Sequence, residues 1–312
     1  MVNVRAQFCI DRWEATTVDA ASQRALSPYY PPHVRLARLM FDHWSAEFAN
    51  ERSAYNGYFS EASAPAPPSL LDDDPSDHLA LSVPSPVRSI AGFDASVPAE
   101  DDDEELDAGT IAIGHDAIAP PRTPMALPAL PDWQQSGGFV PMAVSKANVV
   151  PQGYVPGFVA VQACRASGKR LCREDEWVTA CKGQQHVQYP YGQEYRQGVC
   201  NVFREAHPGA ILHGDCSRGL SDPRLNLVKS EGADLLRETG GTPHCASHWG
   251  SDVIYDMVGN VDEWVDDPDG VFVGGFYARN TRKGCESRVS AHPPAYFDYS
   301  LGFRCCADLG GR

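Results

Sequence analysis

The stretch Ser167–Gly183 reads SGKRLCREDEWVTACKG and holds the clearest helix signal of the chain. Acidic residues at 174–176 complement the positive end of a helix dipole, and a glycine ends the segment. Trp177 and Cys181 stand four residues apart, so they share one helix face. A second helix is predicted directly before it, over residues 156–168, between a proline and a glycine.

The rest of the chain predicts little regular structure. Residues 7–18 are typical of a short strand followed by a turn, and residues 31–51 place apolar side chains at helical spacing. After residue 185, short segments are separated by Gly, Pro and Asn. Two helices followed by irregular β structure, with cysteines throughout, indicate an α+β fold of low regular secondary structure stapled by disulfides.

The charge is concentrated in one window. Residues 61–140 contain fifteen Asp or Glu but only two Arg, so they carry −13 of the net charge of −15, together with 12 of the 25 prolines. This composition offers little apolar surface to bury. We expect an N-terminal strand and helical extension over 1–60, with the strand part of the main domain, a disordered acidic, Pro-rich loop or linker over 61–138, and the main domain over 139–312. An acidic binding arm is the alternative for the window, and the nearly neutral remainder does not favour nucleic-acid binding.

The ten cysteines predict an oxidising compartment. One lies near the N-terminus at Cys9, and the other nine fall between residues 164 and 306, without a CxxC pair or zinc-finger spacing. An even count of this kind predicts disulfides and export to the periplasm, the cell surface or the medium. No signal peptide is visible in MVNVRAQFCI, so the export signal is expected upstream. No apolar run approaches the ~20 residues that a membrane span needs.

Four segments in this order resemble the formylglycine-generating enzyme family, also called sulfatase-modifying factors. They are SGKRLCREDEWVTACKG (167–183), YDMVGNVDEWVDD (255–267), VGGFYARN (273–280) and LGFRCCAD (301–308). The segment CIDRWEAT (9–16) resembles the N-terminal strand of bacterial members. The resemblance implies a formylglycine-generating-enzyme-like variant of the C-type-lectin fold, with little regular secondary structure.

The resemblance also implies two disulfides. Cys285 lies among four basic residues, which leaves two interpretations from the residues alone: a reactive nucleophile or one end of a disulfide. The matching positions of the family favour the disulfide and pair Cys164 with Cys305 and Cys181 with Cys285. The pairing of the other six cysteines stays open: Cys9, Cys172, Cys200, Cys216, Cys245 and Cys306.

The family's oxidase site is not matched. Family members bind Cu(I) through two cysteines after the GG pair; Arg279 stands at the first position, and the shorter loop leaves no cysteine for the second. A serine of the family is Phe276 here. We therefore predict no catalytic residues and a catalytically diverged protein that binds a peptide or an anionic group in the former active-site groove. The groove candidates are Phe276, Tyr277, Arg279 and Arg282.

Two other functions remain open. One is a metal-dependent oxidoreductase that acts on a protein or peptide through copper or through non-haem iron bound by histidines. His244 and His248 are four apart, but the preceding Pro243 makes a shared helix face improbable, so loop histidines are expected. The other is an interaction partner of a toxin or surface protein.

The segment around Gly259 predicts a calcium site. Two carboxylates and intervening carbonyl oxygens flank a Gly-Asn turn, and oxygen ligands suit this hard cation. The resemblance assigns the ligands to Asp256, the carbonyls of Gly259 and Val261, and Glu263. A second family site corresponds to Asn201 and Val202, without a clear match for its Asp ligand. Carboxylates that only bond the local backbone are the alternative.

Overall fold

A computed structural model describes residues 1–48, 125–217, 219–279 and 282–310. These residues belong to one structural unit. Most of the acidic window lies outside the described residues. The described end of the window, residues 125–138, contains a short helix, and Leu127 and Leu130 are buried. The rest of the predicted linker, 61–124, lies outside the described residues.

Five α-helices are found in the described residues. The two predicted from the cysteine-rich half are α3 and α4, and Arg173 N–H at the start of α4 donates to Glu176 Oε2 at 3.0 Å. Helix α1 begins after His33 and buries Met40, Phe41 and Trp44. Their bounds are α1 Val34–Glu47, α2 Asp132–Ser136, α3 Gly157–Ala166, α4 Glu174–Lys182 and α5 Pro208–His213.

The strands are short, and they form two four-stranded sheets and three strand pairs. The first seven are β1 Val2–Val4, β2 Phe8–Ile10, β3 Ala15–Asp19, β4 Pro141–Ser145, β5 Arg170–Leu171, β6 Lys229–Ser230 and β7 Ala233–Asp234. The others are β8 Ala246–Trp249, β9 Asp252–Tyr255, β10 Asp262–Trp264, β11 Phe272–Val273, β12 Arg288–Val289, β13 Leu301–Phe303 and β14 Cys305–Asp308. One sheet has the order β1-β2-β14-β5, and the other the order β12-β11-β10-β13, with β10 and β13 parallel.

The N-terminal strands are part of the main fold. Strand β2 pairs with β14 at the other end of the chain, and β3 pairs with β4 over five residues. The predicted strand at 7–18 is thus two strands with a turn between them. These pairings show why the N-terminal segment and the cysteine-rich half fold together despite the long acidic window between them.

Four disulfides cross-link the described chain. Two are the pairs implied by the resemblance, Cys164–Cys305 and Cys181–Cys285. The other two are Cys172–Cys306 and Cys200–Cys245. Cys9 on β2 and Cys216 after α5 remain free. Disulfides in this number are typical of extracytoplasmic proteins, and no helix among the described residues is long and apolar enough to cross a membrane.

Candidate functional site

The loop after β11 places Arg279 on a buried carboxylate. Its guanidinium Nη2 forms an ion pair with Asp262 Oδ1, and Asp262 is fully buried at the start of β10. The guanidinium also lies over the rings of Phe272 and Phe276, 5.9 and 5.8 Å from their centroids. An arginine held on two aromatic faces and one carboxylate is a fixed, oriented cation.

Burial raises the pKa of Asp262 to about 7, and the nearby charge of Asp298 adds to this effect. Arg279 and the backbone N–H of Gly275 act in the opposite direction. The second carboxylate oxygen of Asp262, Oδ2, is buried and has no hydrogen-bond partner in the described structure. The Asp262 carboxylate is therefore poorly solvated. Because its pKa lies near 7, it gains or loses a proton near neutral pH, and this changes the net charge of the Asp262–Arg279 pair.

The GG pair positions this loop through close packing. Gly274 has a φ of +91°, and a Cβ there would come within 2.9 Å of the Met257 carbonyl oxygen and 3.0 Å of the Trp177 ring. Only glycine adopts this conformation without strain while lying so close to its neighbours. This close packing fixes the position of the backbone at the start of the loop that carries Phe276 and Arg279.

The aromatic groove candidates line the inside of the loop rather than an open surface. Tyr277 is fully buried and Phe276 is only 9% exposed, and both pack on Tyr299 with ring centroids 6.3 and 5.6 Å away. The Tyr277 hydroxyl donates to Asn226 Oδ1 at 3.4 Å. Of the four candidates, Arg282 is exposed and Arg279 keeps 29% of its side chain exposed. A ligand at this loop would therefore contact Arg279 and Arg282, whereas Phe276 and Tyr277 are buried beneath them.

The predicted calcium residues belong to a buried charged cluster around Arg304. Arg304 Nε donates to Glu263 Oε2 and its Nη2 to Glu263 Oε1, both at 2.6 Å, and the Trp177 indole N–H donates to Oε2 at 2.7 Å. Asp256 and Glu14 are buried close by and interact electrostatically with Arg304 and Glu263. The cluster thus contains three carboxylates and the Arg304 guanidinium, and Arg237 interacts electrostatically with Asp256 at its edge.

Carboxylates outnumber guanidinium groups in this buried cluster. Burial raises the pKa of Glu14 well above its ordinary value and that of Asp256 to about 6, and neighbouring carboxylates add to both shifts. Asp256 Oδ1 is buried without a hydrogen-bond partner; the Thr242 hydroxyl lies near this carboxylate but does not reach hydrogen-bond geometry. An unpartnered carboxylate oxygen and excess negative charge fit a cation held by Asp256 and nearby carbonyls, with Glu263 shared with Arg304.

The second predicted set, Asn201 and Val202, lies in a buried hydrogen-bond network. Asn201 Oδ1 accepts from Arg204 Nε at 3.0 Å, and its carbonyl oxygen accepts from Asn260 N–H at 2.8 Å. Its Nδ2 donates to Leu235 O and to Asn260 Oδ1, so the side chain is a buried structural link.

Sequence reasoning named Asp256 and Glu263 but missed Asp262, Glu14 and Arg304. Asp262 and Glu263 open the segment DEWVDDPDG, and both are fully buried, whereas only the later acids of the segment reach solvent. Glu14 and Arg304 lie in segments quoted only for resemblance. Two consecutive acids inside a short apolar segment were the available signal, because such a segment is buried only when its charges are paired.

No three side chains of His, Cys, Asp or Glu come close enough to hold a metal ion in the part of the chain that the structure describes. His248 lies on β8 and His244 in the turn before it, which agrees with the expectation that they do not share a helix.

The fold and these motifs define the sulfatase-modifying factor class of proteins. The model of the sulfatase-modifying factor enzyme 1-like domain matches residues 131–309, and the chain belongs to this FGE-sulfatase family.

Two solved structures are similar to part of this chain at low identity. CarF is 18% identical with a TM-score of 0.27, over 45% of this chain and 47% of CarF. PvdO from Pseudomonas aeruginosa is 16% identical with a TM-score of 0.32, over 51% of this chain and 62% of PvdO. The chain thus spans between about half and three fifths of their lengths.

Proposed function

We propose that this chain is a binding member of the FGE-sulfatase family that does not carry out copper-dependent oxidation. The observation that carries the proposal is the ion pair between Arg279 and the buried Asp262, at the position that the resemblance gives to the first copper-binding cysteine. Cu(I) requires soft thiolate ligands. A guanidinium paired with a carboxylate provides neither a soft ligand nor space for the ion.

The free cysteines do not supply a replacement pair. Eight of the ten form disulfides, and Cys9 and Cys216 lie on different elements, one on β2 and one after α5. Burial raises the pKa of the Cys216 thiol, and the charge of Asp215 adds to the shift, so its thiolate is disfavoured at neutral pH.

The proposed ligand is a peptide or protein segment with an anionic group. Arg282 is exposed, and Arg279 is held above Phe272 and Phe276 with 29% of its side chain exposed. Arginine presents several N–H groups in one plane, so it can bind a ligand carboxylate while it keeps its bond to Asp262. The buried rings beneath it would hold the guanidinium in place for this contact.

The proposal also includes a calcium ion at Asp256 and a location outside the cytoplasm. Calcium held by Asp256 and the carbonyls of Gly259 and Val261 would supply positive charge to the Arg304 cluster and stabilise the fold. The chain would act in the periplasm, at the cell surface or in the medium, where its disulfides persist.

Two measurements test this function. Cu(I) titration against a chromogenic chelator is expected to show no site in the protein whose Cys9 and Cys216 are replaced by Ala. Fluorescence anisotropy with a labelled hexaglutamate peptide and its hexaglutamine counterpart is expected to show preferential binding of the acidic peptide. The preference should fall about tenfold in Arg282→Gln, which removes a charge-assisted bond, and stay unchanged in the exposed control Arg165→Gln. Tight copper binding by the cysteine variant, or equal binding of both peptides, would overturn the proposal.

A further inference from the structure

A hollow of about 360 Å³ lies over one face of the β8–β9 hairpin. Alternate residues of a strand share a face, and Ala246 and His248 of β8 line the hollow together with Val253 and Tyr255 of β9. The segment Lys182–Gln185, where α4 ends, forms a wall. The hollow thus lies between a helix end and a hairpin.

The described lining of the hollow contains basic side chains and no acidic ones, unlike the chain as a whole. It contains Lys182, His244 and His248, and no Asp or Glu is among its described lining residues, although the chain as a whole has a net charge of −15. The carbonyl end of α4 adds little negative potential, because Val187 N–H donates to Lys182 O and His186 N–H donates to Gly183 O. Donors of positive or neutral charge therefore dominate the hollow.

A second hollow of about 400 Å³ shares Gln184 with the first and extends the same character. It is lined by Arg5, which contacts His186 and lies over the Trp249 ring at 5.9 Å. It too has no carboxylate among its described lining residues. The two hollows thus meet at Gln184, and Lys182 lines the first while Arg5 lines the second.

Disulfides hold the donors in place. Lys182 directly follows Cys181, whose partner Cys285 directly precedes Glu286, and Glu286 pairs with Lys182. His244 directly precedes Cys245, which is bonded to Cys200. A ligand therefore meets donors whose backbone positions are already fixed, which lowers the entropy cost of binding.

We propose that the hollow between α4 and the β8–β9 hairpin binds a small organic ligand bearing a carboxylate, sulfate or phosphate group. Lys182 and the imidazole N–H groups of His244 and His248 would bond the oxyanion, because an imidazole donates in either charge state. Tyr191 and Tyr255 line the same hollow and would contact the organic part. This inference goes beyond the function proposed above and does not depend on it, since none of the described residues within 276–282 lines the hollow.

The test compares ligands that differ in one group. Isothermal titration at pH 7 is performed with glucuronate and with glucose, which lacks the carboxylate, and with inorganic sulfate and phosphate. Glucuronate is expected to bind at least tenfold more tightly than glucose, with competition by sulfate or phosphate if the site prefers those oxyanions. Chemical-shift mapping on the wild-type protein must place the response at His244 and His248.

Variants separate binding from a structural role. Lys182→Gln and Glu286→Gln both break the same ion pair, but only the first removes a ligand contact. Affinity should fall about tenfold in Lys182→Gln and be kept or increased in Glu286→Gln, with Lys229→Gln as an exposed control. The inference is overturned if glucose and glucuronate bind alike, if the shifts map elsewhere, or if the Lys182 and Glu286 variants lose affinity equally.

Discussion

Arg304 and Glu263 form a two-point ion pair in the interior of the fold, with both of its N···O distances at 2.6 Å and both side chains buried. Arg304 directly precedes Cys305 in β14, and Glu263 lies in the middle of β10, so the pair connects the two four-stranded sheets. It also provides the guanidinium of the buried charged cluster that contains Asp256 and Glu14.

Replacing Arg304 by Met should destabilise the protein by about 3–5 kcal/mol, because Glu263 would keep a buried charge without its partner. The double variant Arg304→Met with Glu263→Gln should recover part of this loss. Urea unfolding of the disulfide-intact proteins measures both changes. A loss below about 1 kcal/mol in the single variant would show that the ion pair is not a major stabilising contact.

The sequence predicted the fold through ordered motifs. The helices over 156–168 and 173–183 are present, and two disulfides join the pairs implied by the resemblance. The pairing of Cys172 with Cys306 could not be derived, because it depends on β5 lying beside β14. Adjacent strand residues point to opposite faces, so Cys305 and Cys306 had to have different partners, but which strand lies on each face is a tertiary fact.

The cysteine pairing predicts a free-thiol count of two. Alkylation after denaturation without reductant should label Cys9 and Cys216 and leave the other eight cysteines unmodified. Intact mass gives the count, and peptide mapping gives the positions. In the native protein Cys216 should react first, because it is exposed and Cys9 is half-buried. Four labelled cysteines would mean that one disulfide does not form, and none would mean that Cys9 and Cys216 pair.

Removing the shortest disulfide loop tests how much the cross-links stabilise the fold. Cys200→Ala with Cys245→Ala opens a loop of 45 residues and should reduce the free energy of unfolding by about 2–5 kcal/mol. The double variant Cys9→Ala with Cys216→Ala is the matched control, since it removes two thiols and no bond. Equal stability of the two double variants would contradict the expectation.

Calcium should raise the melting temperature if Asp256 holds it. At a free concentration of one hundred times Kd, the gain is about 2.7 kcal/mol, which corresponds to roughly 5–11 °C for a domain of 150–250 residues. Asp256→Asn should abolish the shift, while Asp266→Asn, on the exposed part of the same segment, should keep it. Scanning calorimetry with calcium and with chelator gives the comparison, and an unchanged melting temperature in the wild-type protein would exclude the site.

The candidate groove was less predictable than the fold. Sequence reasoning found Arg279 and Phe276 from their positions after the GG pair and placed them in the former active-site groove, without their buried partners. The structure pairs Arg279 with Asp262 and buries Tyr277 against Tyr299. Both contacts join residues that are distant in sequence, and a charge pattern read along the chain does not show which acid lies beneath which cation.

The Asp262–Arg279 pair predicts a specific dependence of stability on pH. The pKa of Asp262 is raised from 3.8 to about 7, so between these values the folded state holds a proton that the unfolded state has released. The stabilising contribution of that proton is fully present below about pH 4 and is lost as the pH rises to 7, by an amount on the order of 4 kcal/mol. Asp256, with a pKa raised to about 6, acts with the same sign over a narrower range.

Asp262→Asn removes the titration and keeps the shape of the side chain. We expect the stability of this variant relative to wild type to improve by a few kcal/mol between pH 4 and pH 8, even if it loses stability at pH 4 through the weakened bond to Arg279. Asp252→Asn, which removes a half-exposed partner of Arg12, should show no such trend. Urea unfolding at a series of pH values measures the difference. A difference that does not change with pH would mean that Asp262 is ionised throughout and that Arg279 fully compensates its burial.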